Sequence, residues 1–364
     1  MPALSFIPML SLMAQLRHNP TAPLRIWLRN TGHKIRPPCA RPLAAIIRHR
    51  QDAVLAAGRA GPHQYAPALA EAGTGGQPTI VIGGFVPDTQ DALYLLRAGL
   101  LKQGSLYTFS YPSRGFDTDL FVAQLADCIE DVTARHGRMP VLIGISFGAG
   151  LVVEMLRRTT ASGTALPLAG VVLISPVCGV TDLIEPGTPK ATTLLGRVIK
   201  PYLDRNGVVD ESIIARSRAV FLKMFEAGAQ NHQALSLLLT QGESLRLRSA
   251  VLATINAITT TGVVERVRAL CDFPDLQEPR CLCPAPALVL FAEKEGAVLR
   301  ENSPTQREFG HRTRSWFPQG LCLTVRHTPD NPVQHASLIF HAQNFAQPLW
   351  AFYRQIKNTH YRAA

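Results

Sequence analysis

Cysteine is scarce and scattered in this 364-residue sequence, which contains seven cysteines. Small secreted domains that depend on disulfides instead carry dense, even-numbered sets. The tightest group, Cys271 with Cys281 and Cys283, lacks the C-x2-C pairs and neighbouring histidines of a zinc site. The pattern therefore predicts free thiols, a reducing cytoplasmic compartment and no metal site.

Long apolar runs and targeting signals are also missing. The first 16 residues are uncharged, but Pro8 interrupts them and no basic stretch precedes them. A membrane-spanning helix needs about 20 apolar residues. A second uncharged run, 159–181, contains Gly163, Pro167, Gly170 and Pro176, which break it. The sequence predicts neither a transmembrane helix nor a secretion signal.

Motifs for bound nucleotides and catalytic zinc are absent too. The sequence has no G-x-x-x-x-G-K-[ST] loop and no H-E-x-x-H pair. The glycine-rich stretch 73–76 precedes a predicted strand instead of following one, which is the wrong context for binding phosphates. We therefore expect no cofactor.

Acidic residues are missing from one end of the chain. The whole sequence carries a formal charge of +11, but residues 1–51 contain eight basic residues and no Asp or Glu, which accounts for +8 of it. The remainder has no basic stripe with interleaved aromatic residues, so nucleic-acid binding is not expected. Two interpretations of the basic segment stay open: its helices lie on anionic membrane lipid, or they pack on the rest of the protein with their arginines in solvent.

What the chain does contain is an alternation of short apolar runs and amphipathic stretches. A helical stretch at 41–59 and a Gly- and Pro-rich loop at 61–78 precede six runs that indicate strands: 79–82, 105–111, 141–145, 171–175, 288–291 and 321–325. A helical pattern that ends at Gly137 joins the second run to the third. This alternation predicts an α/β fold with a mainly parallel sheet and helices on both faces.

The same patterns divide the chain into four segments. Residues 1–60 form a basic helical N-terminal extension, and residues 61–182 and 284–364 form the two parts of the α/β core. Between them, residues 183–283 form a helical cap, with helical patterns at 211–227 and 232–258 and no strong strand. At 46% hydrophobic residues, a chain of this length can bury a core without disulfides or metals.

A serine flanked by glycines directly follows the third strand. The sequence there reads Gly144-Ile-Ser146-Phe-Gly148-Ala-Gly150 and continues into a helix-length stretch. A tight strand-to-helix turn needs glycines at these positions, because larger side chains would crowd the serine at its apex. Such a turn presents Ser146 at the carboxyl edge of the sheet, at the positive end of the helix dipole. The alternative is an ordinary small-residue turn that packs helix against strand.

From about residue 79 to residue 353 the chain resembles the α/β-hydrolase superfamily. The resemblance implies that Ser146 is a nucleophile and that the backbone N–H groups of Phe85 and Phe147 form an oxyanion hole. Gly83-Gly84-Phe85 stands where the family usually has His-Gly-x, so the glycine is present and the leading histidine is not.

The resemblance also implies an acid after a late strand. Glu295 takes that position in the stretch 286–296, where the family more commonly has Asp, and Glu293 is its neighbouring competitor. Asp182 is a second alternative, because some members place the acid after the preceding strand. Either carboxylate could hold an imidazole in one tautomer.

A histidine should lie between the last strand and the last helix. His335 has that position, at the expected start of an amphipathic C-terminal helix, and His327 and His341 are the alternatives. The order Ser146, Glu295, His335 is the order that this fold uses. The interval of 40 residues between acid and histidine is long for the family, and the extra length falls in the polar segment 301–320.

These residues together predict acyl transfer through an acyl-Ser146 intermediate, with His335 as general base and then general acid. Hydrolysis of a small-molecule carboxylic ester is the expected reaction, although a thioesterase or an acyltransferase would use the same residues. Apolar residues of the cap, at 224–225, 237–239 and 251–252, either roof the site for a hydrophobic acyl group or pack the cap's own core. A hydrolase-fold protein that binds a ligand without catalysis is the alternative of a different class. The oligomeric state is left open.

Overall fold

Eight strands form one sheet among the residues that the computed structural model describes, which are 39–204, 210–229, 239, 241–276 and 280–363. The strands are β1 (Arg41–Pro42), β2 (Ala68–Glu71), β3 (Thr79–Ile82), β4 (Leu106–Phe109), β5 (Val141–Ile145), β6 (Gly170–Ile174), β7 (Ala287–Ala292) and β8 (Gly320–Val325). Their spatial order is β1-β2-β4-β3-β5-β6-β7-β8. Strands β3 to β8 pair in parallel, whereas β2 is antiparallel to both β4 and β1.

Helices cover both faces of this sheet and also form the region between β6 and β7. They are α1 (His49–Ala56), α2 (Thr89–Ala92), α3 (Arg97–Gln103), α4 (Thr118–His136), α5 (Phe147–Ala161), α6 (Leu194–Asp204), α7 (Glu211–Ala229), α8 (Gln241–Ala257), α9 (Thr260–Asp272), α10 (Pro304–Trp316) and α11 (Ala342–Ala363). Alternate strand residues enter two cores: Ile80 and Ile82 pack with α4 and α5, while Val81 packs with α3 and α11. The strands are apolar on both faces because both faces are buried, and the predicted α/β fold is confirmed.

Local sequence patterns place most of these elements closely. Each of the six predicted strands matches an observed one to within two residues at either end. The predicted helix before Gly137 is α4, in which Asp117 accepts a hydrogen bond from the Leu120 amide at 2.7 Å. Gly137 ends it with φ of +60°, a conformation in which glycine avoids the strain of a Cβ atom.

Two strands are absent from the sequence prediction. Strand β2 reads Ala-Leu-Ala-Glu, with none of the β-branched or aromatic residues that favour strands, and falls inside the stretch 61–78 that was expected to be loop. It is extended because it pairs along the edge of β4, with Ala68 opposite Phe109. Tertiary pairing thus overrides a weak local preference.

The helix predicted at 41–59 is wrong in its first half. Residues 41–42 form β1, and the Leu43 amide continues the pairing by donating to the Ala68 carbonyl at 2.8 Å. Helix α1 begins only at His49, where the Asp127 carboxylate of α4 accepts from the amides of Arg50 and Gln51. These bonds satisfy donors that the first turn of a helix leaves free.

The rest of the predicted N-terminal extension divides into two parts. Residues 1–38 lie outside the described residues. Residues 49–56 pack on the core, since Val54 of α1 forms a buried cluster with Leu120 and Ala123 of α4. Arg50 also forms ion pairs with Asp127 and with Glu130.

The predicted cap region, between β6 and β7, contains α6, α7, α8 and α9. The pattern at 211–227 corresponds to α7, and the described part of the pattern at 232–258 corresponds to α8. Helix α9 was not predicted. In the described part of the chain no single helix is long and apolar enough to cross a membrane, although the pair Gly242–Ala257 and Thr260–Asp272, bent by 86°, meets the length and composition requirement jointly.

Candidate active site

Ser146 occupies the turn between β5 and α5. Its φ of 53° and ψ of −116° are uncommon for a residue with a side chain. Hydrogen bonds hold this conformation: the Ser146 amide donates to the Ile174 carbonyl of β6 at 2.8 Å, and the Ser146 carbonyl accepts from the amides of Ala149 and Gly150. The serine therefore has the strand–turn–helix setting that the sequence predicts.

Close backbone contacts explain the glycines of the motif. A Cβ atom on Gly144 would lie 2.5 Å from the Ala149 Cα, and one on Gly148 would lie 2.3 Å from the Gly83 carbonyl oxygen. Both distances are below any normal contact. The glycines thus allow α5 to approach β5 and the loop at 83–85.

The structure brings Ser146, His335 and Glu295 together at the carboxyl edge of the sheet. The Ser146 Oγ lies 2.9 Å from His335 Nε2, and Nδ1 of the same ring contacts Glu295 Oε2. The His335 side chain is 8% exposed and that of Glu295 is 4% exposed. In this arrangement the serine hydroxyl can donate to Nε2 while the Nδ1–H donates to the carboxylate.

The start of the C-terminal helix is corrected by the structure. Helix α11 begins at Ala342, so His335 lies in the preceding loop and not in a helix. The backbone there is engaged elsewhere, because Gln334 forms a β-bridge with Lys294 and the Ala336 amide donates to the Ser175 hydroxyl at 3.1 Å. The long interval between Glu295 and His335 contains a complete helix, α10, between β7 and β8.

The alternative acid Glu293 holds the loop that follows β8. Its Oε1 accepts from the amides of His327 and Val333 at 2.9 and 2.8 Å, and these bonds hold the pKa of the Glu293 carboxyl below its usual value. The alternative histidines lie in the same region. The His327 side chain faces the Asn331 carbonyl, and His341 lies 3.0 Å from the Ser337 hydroxyl.

The other alternative acid, Asp182, joins the loop after β6 to the start of α10. Its oxygens accept from the Ser303 hydroxyl at 2.6 Å, from the Thr305 amide and hydroxyl at 2.9 and 2.7 Å, and from the Cys178 amide at 2.8 Å. Burial raises the pKa of Asp182, and the bonds from Ser303 and Thr305 oppose that effect. This carboxylate supports the fold and does not contact the imidazole.

Ser175 is a residue of the site that the sequence does not reveal. It follows β6 with φ of +45°, and its hydroxyl donates to Glu295 Oε1 at 2.8 Å. The same oxygen of Ser175 accepts from the Ala336 amide, next to His335. Ser175 therefore links the acid to the histidine loop. The signal in the sequence that could have identified Ser175 is its position at the carboxyl end of the strand that precedes β7.

The loop at 83–85 passes directly beside Ser146, because a Cβ atom on Gly84 would lie 3.3 Å from the Ser146 Cβ. The Gly83 amide donates to the Thr89 hydroxyl at 2.9 Å, and the Gly83 carbonyl accepts from the Tyr111 hydroxyl at 2.8 Å. Among the residues that the structure describes, the amides of Phe85 and Phe147 donate no hydrogen bond. Both are thus free to donate to a ligand oxygen.

Aromatic rings from the core and the cap meet around the turn. The Phe85 ring lies 5.6 Å from that of Phe147 and stacks at 6.1 Å on Phe221 of α7. One turn further along α7, Phe225 lies 5.5 Å from Phe340. The predicted apolar side chains of the cap therefore pack on the core as well as on each other. Residues 237 and 238, also expected there, lie outside the described residues.

One cluster has the residue types of a metal site. His49, Asp127 and Glu130 offer ligand atoms within 4.8 Å of one another, the one such group among the described residues. However, the Arg50 guanidinium already bonds both carboxylates, and Asp127 also accepts from the Gln51 amide and side chain. The cluster anchors α1 on α4, and its oxygens are engaged in that role.

A serine, a histidine and a carboxylate at the carboxyl edge of a mainly parallel sheet, with helices inserted after β6, define an α/β-hydrolase architecture. The sequence agrees, since residues 80–299 match the model of the alpha/beta hydrolase family. The chain belongs to this family and is a hydrolase. No curated protein sequence matches it significantly.

Several solved structures share the fold. An esterase from Thermogutta terrifontis is 15% identical, with a TM-score of 0.53 over 80% of this chain and 94% of its own. A bacterial membrane phospholipase A is 14% identical, with a TM-score of 0.54 over 97% of each chain. An epoxide hydrolase from Bacillus megaterium is 12% identical, with a TM-score of 0.53 over 79% of this chain and 96% of its own. At such identities the likeness establishes the fold alone.

Proposed function

We propose that the protein hydrolyses carboxylic esters of small molecules through an acyl-Ser146 intermediate. The observation that carries this proposal is the contact of the His335 ring with both partners: Ser146 Oγ lies 2.9 Å from Nε2, and Glu295 contacts Nδ1. This is the geometry in which an imidazole accepts a hydroxyl proton while a carboxylate stabilises the resulting charge.

Acylation begins when Ser146 Oγ bonds to the ester carbonyl carbon and its proton passes to His335 Nε2. The π electrons of the carbonyl move to its oxygen, and the amides of Phe85 and Phe147 donate to this negative oxygen. As the carbonyl re-forms, the bond to the alcohol breaks, and the alcohol takes the proton from His335. Water then attacks the acyl-serine by the same steps, which releases the acid and restores Ser146.

Glu295 holds the imidazole during these steps. Its Oε1 is fixed by the Ser175 hydroxyl and by the Ala292 amide at 2.7 Å, which leaves Oε2 for His335 Nδ1. A carboxylate in this position keeps the proton on Nδ1, so that Nε2 is free to accept from the serine, and it favours the imidazolium that forms.

We also propose that the acyl group is hydrophobic. The rings of Phe85, Phe147 and Phe221 surround the turn that carries Ser146, and Phe225 and Phe340 extend this apolar surface. The rings of Phe85, Phe147, Phe221 and Phe340 are only 2–8% exposed, so the surroundings of Ser146 are apolar, as they are in sites that bind hydrophobic groups. Rates with p-nitrophenyl esters from acetate to palmitate test this point; equal rates along the series would contradict it.

A fluorophosphonate probe together with p-nitrophenyl butyrate hydrolysis tests the reaction itself. Both labelling and hydrolysis should disappear in Ser146→Ala and persist in Ser162→Ala, a control at the exposed far end of α5. Labelling that persists in Ser146→Ala would exclude this serine as the nucleophile. A parent protein that is neither labelled nor active would favour the ligand-binding alternative. Thioester substrates and added alcohols, with analysis of the products, distinguish a thioesterase or an acyltransferase.

A cytoplasmic location and contact of the basic N-terminal segment with anionic lipid are further proposals. Residues 1–38 carry five basic residues and no acidic one, which favours attraction to an anionic surface. Because α1 packs on the core, deletion of residues 1–38 is the appropriate variant. Weaker binding of this variant to phosphatidylglycerol vesicles, with no change for phosphatidylcholine, would support lipid contact; unchanged binding would favour packing on the hydrolase core.

A further inference from the structure

Arg266 brings a buried positive charge from the cap into contact with the loop beside Ser146. It lies on α9 and is only 3% exposed. Its Nη1 donates to the Phe85 carbonyl at 3.3 Å and its Nη2 donates to the Pro112 carbonyl at 3.0 Å. The guanidinium carbon lies 5.5 Å from the centre of the Phe85 ring and 5.0 Å from that of Tyr111.

Within the described part of the chain Arg266 forms no ion pair, and its Nε has no hydrogen-bond partner. Burial lowers the pKa of Arg266 to about 10, with Tyr111 and Asp88 opposing, so the side chain is charged at neutral pH. A buried, unpaired charge destabilises a fold. Packing alone would be served better by an uncharged side chain such as methionine.

Through its hydrogen bonds to the Phe85 and Pro112 carbonyls, Arg266 contacts the segments that fix the loop at 83–85. Phe85 offers its carbonyl to Arg266, and its own amide is one of the two free donors beside Ser146. The Tyr111 hydroxyl holds the Gly83 carbonyl at 2.8 Å, while the Tyr111 ring lies against the guanidinium. Arg266 therefore constrains the loop at both ends, directly at Phe85 and through Tyr111 at Gly83.

Helix α9 is itself firmly attached to the core. The amide and hydroxyl of Thr259, at its N-terminus, donate to the Ser113 carbonyl at 3.2 and 2.7 Å. Glu265 accepts from the Phe116 amide and from the Gln64 side chain. The helix can thus hold Arg266 in a fixed position relative to Ser146.

We propose that Arg266 is a positioning residue for the oxyanion hole: it fixes the direction of the Phe85 amide, and its positive charge favours the negative oxygen of the tetrahedral intermediate. The inference rests on the proposed ester hydrolysis. It makes α9 of the cap a part of the catalytic apparatus. Hydrogen bonds that are aimed in advance at a developing charge lower the barrier without reorganisation.

The test compares Arg266→Met, which removes the charge and both bonds at similar volume, with Arg266→Lys, which keeps the charge without the planar fork. Arg268→Met, an exposed arginine on the same helix, is the control. Each variant is assayed for kcat and KM with an ester and for affinity towards a matching trifluoromethyl ketone. Ser146 Oγ adds to that ketone carbon, the carbonyl electrons move to oxygen, and the proton passes to His335, so the adduct carries the same negative oxygen.

For Arg266→Met we expect kcat to fall at least about 10-fold, KM to stay within about 2-fold, and affinity for the ketone to fall in parallel with kcat. Each rate is divided by the folded fraction that circular dichroism gives. After this correction, a general loss of structure would not make kcat and the affinity for the ketone fall together. Arg266→Lys should lie between parent and Arg266→Met, and it decides the question if the methionine variant does not fold. Arg268→Met should match the parent.

A folded Arg266 variant with parental kcat and parental ketone affinity would overturn the inference while leaving ester hydrolysis intact. A change in KM alone would overturn it as well, because it would assign Arg266 to substrate binding. A parent protein that neither hydrolyses esters nor reacts with a fluorophosphonate would overturn both proposals.

Discussion

Replacing Ser175 with alanine removes one oxygen that serves two parts of the site. The hydroxyl donates to Glu295 Oε1 at 2.8 Å and accepts from the Ala336 amide at 3.1 Å, and Ser175 is fully buried. Hydrogen bonds to charged groups contribute about 1.5–3 kcal/mol and those between neutral groups about 1 kcal/mol. Because the Ala292 amide still holds Oε1, we expect Ser175→Ala to lower the free energy of unfolding by about 2–3 kcal/mol.

The same change should lower activity beyond its effect on stability. Without the hydroxyl, the acid and the loop that carries His335 lose one of the contacts that position them relative to each other, and a misplacement of about 1 Å costs up to about 100-fold in rate. We therefore expect kcat for an ester to fall about 10- to 100-fold with little change in KM. Urea denaturation gives the stability, and active-site titration before each assay gives the concentration of folded enzyme.

Ser303→Ala is the matched control for this experiment. The Ser303 hydroxyl also donates to a buried carboxylate, Asp182, and accepts from a backbone amide, that of Gln306 at 3.2 Å, but it lies away from the imidazole. It should lose similar stability and keep the parental kcat. If Ser175→Ala kept the parental kcat, or if both variants lost kcat equally, the positioning role of Ser175 would be refuted.

Three further changes test other parts of the structure. Glu295→Gln should lower kcat about 10³- to 10⁴-fold because the imidazole loses its charged partner, whereas Glu293→Gln should change it only a few-fold; equal effects would contradict the assignment of the acid. Gly148→Ala places a Cβ atom 2.3 Å from the Gly83 carbonyl oxygen. It should therefore lower the free energy of unfolding, measured by thermal denaturation, by about 1–3 kcal/mol, and it should also lower kcat. Parental values of both quantities would refute that contact. Burial raises the pKa of Asp91 from 3.8 to about 6, so the folded state binds its proton more tightly and stability should fall as pH rises through this range. Asp91→Asn should remove that fall and stabilise the protein at pH 7 by about 1 kcal/mol after allowance for solvent screening, as urea denaturation at several pH values would show.

Local sequence pattern predicts those elements of the fold that only need apolar side chains in order to pack. Strands β5 and β7 read as uninterrupted apolar runs because helices bury both of their faces, so composition and length alone identify them. The turn at Ser146 is recognisable for a related reason. Gly144 is required by a contact within the strand–turn–helix path itself, with the Ala149 Cα, so this part of the motif carries its own structural context.

Prediction fails where the backbone follows a partner that is distant in sequence. Strand β2 is extended because of β4, and the segment at His335 is not helical because Lys294 and Ser175 engage its neighbours. Amphipathic spacing around residue 335 is a real property of the sequence, but hydrogen bonds to the residues that follow β7 and β6 outweigh it. Arg266 is hidden in the same way, since its sequence neighbours resemble those of any amphipathic helix and only its two carbonyl contacts distinguish it.

The choice between Asp182 and Glu295 depends on which oxygens are already engaged. Both carboxylates are buried, and both follow parallel strands that end at the same edge of the sheet, so position alone does not separate them. Asp182 uses both oxygens, Oδ1 with Ser303 and the Thr305 amide and Oδ2 with Cys178 and the Thr305 hydroxyl. Glu295 accepts hydrogen bonds from the Ser175 hydroxyl and the Ala292 amide on Oε1 alone, so Oε2 is left for the imidazole. A carboxylate whose lone pairs are all engaged has none left to accept the imidazole N–H, and therefore the sharing of donors between the two oxygens favours Glu295 as the acid that we propose.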